Sequence, residues 1–592
     1  MTGAALSRRF ARPRFDGGAE HEAHSDIGVA GWSVMALAMA AAVALVITPL
    51  GMLLTAAFRG PQDLLPFEDG TRWTLDNLAA VYLDAGLYRT VIPNTLIFTI
   101  GSVALTFAVA FALAWLVERT DLPLRGAVYT IVLFPLLVPG IVFSITWIFL
   151  LAPNTGWINV ALRAVLGRRG EGPLDVFSMG GMVLVQGLGL VPFVFLLLTA
   201  ALRAMNPSFE EASNVAGASP LKTFLRVTLP VLRPGLLAPL ILATLVTLEQ
   251  FETPLVIGLP ARINVFSTRI FFELNPDTDL PAYGRAAAVA LPFLAAGILL
   301  LVAYNSLIRR ADRFVTVTGR GFRPARFNLG RWRAPAVVFV ALYAVFAALL
   351  PGAVLIWASL FGYANPGLAG LSDASVASYR GLLANAAFWH AVRNTFVVAA
   401  GSALVVTAIA LVLAWIIQRS RMRGRAAVDL VSFLSLGVPT VIAGLAWMLV
   451  YLSAPIGIYG TVAALMLAYC YRMAVATRLT RAALMQIHVE LEEASAVAGG
   501  AWLTTLRRVV LPLLRPALVA SFVLLFIVGF REFTLPMILQ SPDNVVLSVM
   551  MWKAFQGGRT MEAAAIGTII VLLAVLVIFA VRNVVLARDN QG

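Results

Sequence analysis

Long apolar runs alternate with short polar, Arg-bearing stretches along almost the whole chain. A helix rising about 1.5 Å per residue needs roughly 20 apolar residues to cross about 30 Å of hydrocarbon. Twelve runs meet that length: 31–57, 91–117, 127–151, 180–202, 236–258, 286–308, 334–360, 391–417, 427–453, 459–478, 517–540 and 564–586. Hydrocarbon offers no partner for a backbone N–H or C=O, so each run is predicted to be a helix. The tenth run is the shortest, and Pro interrupts the fifth and eleventh. The first run exceeds the roughly 7–15 residues of a signal-peptide core and follows a polar, Arg-containing tail over 1–30, so it reads as a span.

The pattern occurs twice. Asn94-Thr95 matches Asn394-Thr395, Gly101-Ser102 matches Gly401-Ser402, and Ala114-Trp115 matches Ala414-Trp415. Arg119, Pro139 and Trp147 match Arg419, Pro439 and Trp447, all at an offset of 300. Further along, Glu211-Ala-Ser-Asn-Val-Ala-Gly217 returns as Glu493-Ala-Ser-Ala-Val-Ala-Gly499 at an offset of 282, and the 18-residue difference falls in the first half's longer loop, 153–178. Six spans per half is an even number, so both copies enter the membrane in the same sense. That predicts a parallel repeat with a pathway between the halves. The expected domains are the tail 1–30, a first repeat over 31–308 (core 94–308), an Arg- and Gly-rich linker over 309–333, and a second repeat over 334–592 (core 391–586).

Composition agrees with a bilayer setting. The 592 residues are 60% hydrophobic and 12% charged, where soluble domains carry about 25% charge. The net charge of +14 does not point to nucleic acid, because the basic residues are scattered through many short loops. With the N-terminus cytoplasmic, 30 of the 44 Lys and Arg fall on the cytoplasmic side, 13 on the other, and Arg531 inside a span. The positive-inside rule then places both termini and both Glu-Ala-Ser loops in the cytoplasm. A single Cys470 and four His leave no framework for a disulfide or a metal cage, and no cofactor is expected in this chain.

The repeated loop has helix signals. Asn206-Pro207-Ser208 reads as a cap followed by Pro at the first helical position. Glu210 and Glu211 then sit at the positive end of the helix dipole, and Gly217 supplies a left-handed stop. A second short helix from Ser219-Pro220 is expected to close at Leu229-Pro230, since Pro disfavours helix in the residue before it. The second copy runs through Glu490, Glu492 and Glu493 to Gly499 and Leu511-Pro512. Val215, Leu221, Phe224, Leu225, Val497, Trp502, Leu503 and Leu506 are the apolar residues available to a partner's groove.

This loop resembles the coupling loop of type I ABC importer permeases, whose helices insert into cytoplasmic ATPase subunits. Glu211, Ala212, Gly217, Leu229 and Pro230 match that pattern, as do Glu493, Ala494, Gly499, Leu511 and Pro512; Ser213 and Ser495 stand where the family usually has Ala. The resemblance covers nearly the whole chain. It implies an all-α integral membrane fold of twelve transmembrane helices in two parallel six-helix repeats, each with a cytoplasmic coupling helix-turn-helix. It implies two ATP-binding subunits, a periplasmic or extracellular substrate-binding protein, and residence in the bacterial inner membrane. Among fused permeases of this type, Leu248-Glu-Gln-Phe-Glu-Thr-Pro254, Gly258-Leu-Pro260 and Val265-Phe-Ser-Thr-Arg-Ile270 are similar to those of ferric-iron importers. Thiamine, polyamine and 2-aminoethylphosphonate permeases are the alternatives.

ATP chemistry is not expected within the chain. A phosphate-binding loop ends in Gly-Lys-Ser/Thr, and the two lysines, Lys222 and Lys553, follow Leu221 and Trp552. Glu249, Glu252, Arg531 and Glu532 fall inside the fifth and eleventh spans, where a charge costs from about 2.5 kcal/mol upward. Glu249 is the repeat counterpart of Arg531, as Phe251 is of Phe533. The expectation is that Glu249 and Arg531 meet across the pseudo-two-fold axis in a translocation gate, against the alternative of a structural ion pair. An ion-gradient-driven secondary transporter accounts for twelve spans but leaves the twin loops unexplained. A membrane enzyme finds no His cluster or nucleophile motif to support it.

Overall fold

The computed structural model describes residues 28–61, 65–167, 169–205, 208–276, 280–311, 327–361, 371–420, 422, 424–453 and 457–589. Most of the 1–30 tail, the linker between 312 and 326, and Asn206-Pro207 lie outside them. The helices are α1 Gly31–Ala56, α2 Leu87–Arg119, α3 Arg125–Leu137, α4 Gly140–Leu151, α5 Trp157–Leu166, α6 Met179–Ala204, α7 Ser208–Val215, α8 at 220–248, α9 Phe266–Leu274 and α10 Tyr283–Ala311. The second half supplies α11 Gly330–Phe361, α12 Ala386–Arg419, α13 Arg425–Gly437, α14 Thr440–Ser453, α15 Val462–Tyr469, α16 Ala474–Leu484, α17 Glu490–Val497, α18 Trp502–Phe530, α19 Leu547–Gln556 and α20 Thr560–Asp589.

The twelve predicted spans survive unequally. Among the described residues eight helices are long and apolar enough to cross a membrane, or up to twelve if each bent pair is one span. The third predicted span is α3 and α4, meeting at 99°, and the ninth is α13 and α14, meeting at 111°. These bends fall at the repeat-matched Pro139 and Pro439, each followed by a new helix start. The short tenth span is α15 and α16, bent by 51° around Cys470–Met473. The fifth and eleventh end early, at Leu248 and Phe530, where Glu249 and Arg531 begin.

Proline also explains a departure inside the helices. Leu229-Pro230 and Leu511-Pro512 do not close the loop helices as expected. Each sits within a helix that runs on into the next span. The residue before each Pro donates its N–H five residues back instead of four: Leu229 to Phe224 and Leu511 to Leu506. The same wide turn precedes Pro49, Pro93 and Pro351, where Thr48, Ile92 and Leu350 donate to Val43, Leu87 and Val345. A Pro ring collides with the carbonyl four residues back in a regular helix. One extra residue in the turn moves that carbonyl aside, and the helix continues.

The first helix of each half reaches across to the other. The end of α1 packs along α14, and its start along α12; α11 packs along α20 of its own half and along α4 of the other, and touches α3. Tyr343 on α11 donates to the Val132 carbonyl at 3.4 Å. In lipid, close packing rather than water exclusion brings helices together, and small residues permit it. Ala286–Ala288 at the start of α10 and Ala563–Ala565 at the start of α20 are all fully buried. Gly101 and Gly401 lie so close to Val183 and Met466 that a Cβ would come within 3.0 and 2.4 Å of them.

Candidate functional site

The two loops sit at the same end of equivalent helices and are fastened alike. Arg119, the last residue of α2, is buried and donates to the Leu202 carbonyl at 2.8 Å. Its guanidinium lies 3.4 Å from the Glu210 carboxylate, and both side chains are almost wholly enclosed. Thr228 at the wide turn of α8 donates to Glu210 at 2.7 Å. The second half repeats this: Arg419 Nε is 3.0 Å from Glu492, which also accepts from the Trp415 indole at 3.1 Å. Arg419 further donates to the Leu484 and Ile487 carbonyls. Each loop is therefore tied to its own bundle by an Arg–Glu pair, and the Glu is the neighbour of the matched Glu211 or Glu493. Those two lie half-buried on the loop, and Ala212 and Ala494 beside them are exposed.

The turn between α7 and α8 needs Gly217, with φ +79°, and its counterpart needs Gly499, with φ +81°. Ser213 and Thr223 hydroxyls meet at 2.9 Å across that turn, and Ser495 and Thr505 at 2.8 Å. The Ser in place of the usual Ala thus closes the loop in both copies. The apolar set divides by direction. Val215 and Val497 are 90% and 82% exposed, and Leu225 and Leu503 stay about half open. Trp502 and Leu506 are buried, and Trp502 packs edge-on against Trp415 with centroids 5.2 Å apart. Phe224 packs likewise on Trp115 at 5.0 Å. The latter three anchor the loop and face away from any partner, contrary to expectation.

Within each half, matched hydrogen bonds set the elements that face the seam. Asn94 and Asn394 reach the carbonyls of Asn264 and Val545 at 3.2 and 3.1 Å. Thr95 and Thr395 accept the N–H groups that open α9 and α19. Ser267 and Ser548 then donate to the carbonyls of Gln250 and Glu532 at 2.8 and 2.9 Å, just past the ends of α8 and α18. Phe251 and Phe533, each other's counterparts, stack at 6.3 Å with planes 17° apart. The pseudo-axis runs between these two rings.

The charges arrange themselves differently from the expected Glu249–Arg531 pair. Arg531 donates at 2.8 Å to the Val138 carbonyl, at the end of the 3-10 turn before Pro139. Glu249 faces the backbone N–H and hydroxyl of Thr440, at the start of α14. Each equivalent residue thus crosses to the other half's Pro bend, with its sign matched to the dipole there: a cation at a carbonyl end, an anion at an N–H end. Glu252 lies at the start of α4, beside the Ile141 N–H and so close to Gly140 that a Cβ there would displace its carboxylate. Glu532 accepts from the Thr534 and Leu535 N–H groups and pairs with Arg472 at 2.6 Å.

Arg472 was not foreseen. The charge count puts it among the cytoplasmic residues although it falls within the tenth predicted run, 459–478; it stands in the break between α15 and α16, against the seam. The one available signal was the mismatch at repeat offset 282, where the first half has Leu190. Among the described residues no group of three or more His, Cys, Asp or Glu is arranged to hold a metal ion.

Comparison with known proteins bears on the same features. Residues 104–313 and 407–588 each match the family described as binding-protein-dependent transport system inner membrane component. A ferric transport system permease protein of Actinobacillus pleuropneumoniae is 26% identical over 522 residues, covering 87% of this chain and 74% of that protein. A putative ferric transport system permease protein of Haemophilus influenzae is 25% identical, covering 82% and 75%. A maltose/maltodextrin permease protein of Klebsiella aerogenes is 28% identical over 38% of this chain and 47% of its own length. A solved bacterial ABC transporter involved in import of the acidic polysaccharide alginate aligns with TM-score 0.35 at 18% identity, over 43% of this chain and 96% of that one. The two-fold repeat of loop and span, and a family match recurring once in each half, lead to one assignment: this chain belongs to the family of binding-protein-dependent transport system inner membrane components and is a multi-pass permease with both copies of that domain fused.

Proposed function

We propose that this permease imports ferric iron. The observation that carries the reading is similarity over more than four fifths of the chain to two ferric transport permeases. The maltodextrin relative matches less than half as much of the chain. A substrate-binding protein delivers the cargo on the extracytoplasmic side, and separate subunits hydrolyse ATP on the cytoplasmic side, where both chain termini lie. Two such subunits bind, one at each coupling loop, through Glu211, Ala212 and Gly217 with Val215 and Leu225, and through Glu493, Ala494 and Gly499 with Val497 and Leu503. The wide turns at Leu229-Pro230 and Leu511-Pro512 carry the push from loop to span. No cofactor is held by this chain; ATP is bound by the partners.

The two repeats, 31–308 and 334–592, rock against each other as the ATPase subunits close. The seam holding Glu249, Glu252, Arg531 and Glu532 is the gate they open. The test is uptake of radioactive iron into proteoliposomes containing the permease with its ATPase and binding protein. ATP-dependent iron accumulation supports the reading. Uptake of thiamine, a polyamine or 2-aminoethylphosphonate with iron ignored replaces the substrate and keeps the class. Uptake driven by an ion gradient without ATP overturns the class.

A further inference from the structure

The seam's charges are unequal between the halves. Both halves supply a residue that crosses to the other's Pro bend, but the second half adds Arg472 where the first has Leu190, a buried residue of an apolar cluster. Arg472 holds Glu532 at 2.6 Å and the Thr440 hydroxyl at 2.8 Å through Nη2, and its Nε donates to the Tyr471 hydroxyl at 3.2 Å. The Tyr471 and Thr440 hydroxyls themselves meet at 3.3 Å. Thr440 is also the residue that Glu249 faces from the first half, and Glu249 faces Arg472 as well. One guanidinium therefore touches the end of α18, the start of α14 and the break before α16, and confronts a carboxylate of the opposite half. Glu532 is simultaneously anchored to the N–H groups of the turn at Thr534–Ile538. Moving Arg472 disturbs all of these elements together.

We infer that Arg472 is the positioning residue of the gate: it holds the second half's bend against Glu249 of the first half, and its release is the step that lets the halves part at the Phe251–Phe533 stack. The inference rests on the reading of the seam as the gate. It predicts that Arg472 restrains ATP hydrolysis until the loaded binding protein docks, because a closed seam opposes closure of the ATPase subunits.

The experiment uses the full complex in proteoliposomes. Hydrolysis is measured with and without the loaded binding protein, and substrate uptake is measured per ATP consumed. In Arg472→Gln, hydrolysis without the binding protein is expected to rise towards the stimulated rate. The stimulation ratio should fall by about fivefold or more, the scale of a typical coupling between sites. Uptake per ATP should fall with it. Arg472→Lys, which keeps the charge, is expected to recover most of the ratio; a purely structural role would not separate these two variants in coupling. Glu249→Gln removes the facing carboxylate and is expected to lower the ratio too, so the inference stays testable if the Gln variant at 472 does not assemble. Normal stimulation in either Gln variant, or equal ratios in the Gln and Lys variants at 472, overturns it. A Phe251→Cys, Phe533→Cys variant in a Cys470→Ala background separates the two layers of the argument. Bridging those cysteines with a bifunctional reagent blocks uptake if the seam is the gate. Unimpaired uptake after bridging sinks the gate reading itself. Blocked uptake with normal coupling in the 472 variants sinks only the role of Arg472.

Discussion

Removing Arg119 would leave the Glu210 carboxylate enclosed with Thr228 as its remaining partner. Breaking a buried pair by deleting one member costs about 3–5 kcal/mol, since the surviving charge keeps its desolvation penalty. The Arg419–Glu492 pair is more open, at 11% and 13% side-chain exposure against 2% and 4%. Water screens it and its loss costs less. Arg119→Ala is therefore expected to loosen the first loop more than Arg419→Ala loosens the second, read as proteolytic cleavage near Val215 against Val497. Equal sensitivity would contradict the burial argument. Gly217 and Gly499 fail for another reason. A Cβ at either meets nothing within 4 Å, yet a side-chain-bearing residue in the left-handed region costs about 1–2 kcal/mol. The Gly217→Leu, Gly499→Leu double variant is expected to keep its membrane fold and lose ATPase subunits on purification. Retained co-elution with normal uptake would remove these turns from the docking surface.

At the scale of elements, the sequence carried the spans and their repeat because twenty-residue apolar runs are a strong signal. It also carried Gly217 and Gly499, whose backbone conformation the residue type announces. It did not carry the bends at Pro139 and Pro439, because a bent pair has the same composition as a straight span. The effect of Leu229-Pro230 and Leu511-Pro512 was misread. Pro is a helix stop only if the turn before it stays regular, and here the turn widens. The placement of Arg472 escaped because 459–478 reads as one span, and hydropathy does not show where a span breaks or which charge falls in the break. The charge pairing at the seam escaped because the repeat matches residues by position, whereas side chains pair by reach. The wide turns yield a prediction at this scale. A regular helix turns about 100° per residue, so the extra residue at 506–510 sets the direction of everything before it. Pro512→Ala restores a donor and removes the reason for the wide turn; relative to Pro, Ala favours a helix interior by about 3 kcal/mol. The variant is expected to be more heat-stable, yet to couple ATP to uptake poorly because its loop faces a rotated direction. A stabler protein with unchanged coupling would show that the wide turn only accommodates Pro.

At the scale of the whole molecule, the reach of the first helices across the seam decides what counts as a half. The family match begins at residue 104 and resumes at 407, and so leaves out α1 in the first copy and α11 in the second. Packing gives α1 to the opposite half, along α12 and α14, whereas α11 lies between the halves, along α20 of its own and α4 of the other. Met35 and Leu53 on α1 are wholly buried, as is Val354 on α11. Deleting α1 therefore uncovers the second half more than the first. Burying side chains of this size is worth about 1.5–3 kcal/mol each when water is the alternative. In lipid the loss is mainly of close contacts, which are smaller singly and matter by number. A chain starting after residue 57 is expected to expose α12 and α14 to hydrogen exchange and limited proteolysis while α2 and α6 stay protected. Supplying residues 1–57 as a separate peptide during membrane insertion is expected to restore protection of the second half. Damage confined to the first half would mean that each repeat holds its own first helix in the membrane. The two halves could then separate at the seam without α1 tying the first to the second, and rocking would need no hinge in α1. Each first helix touches both halves, so opening the seam as proposed requires both to bend or slide, and the wide turns before Pro49 and Pro351 are where their backbone is least regular.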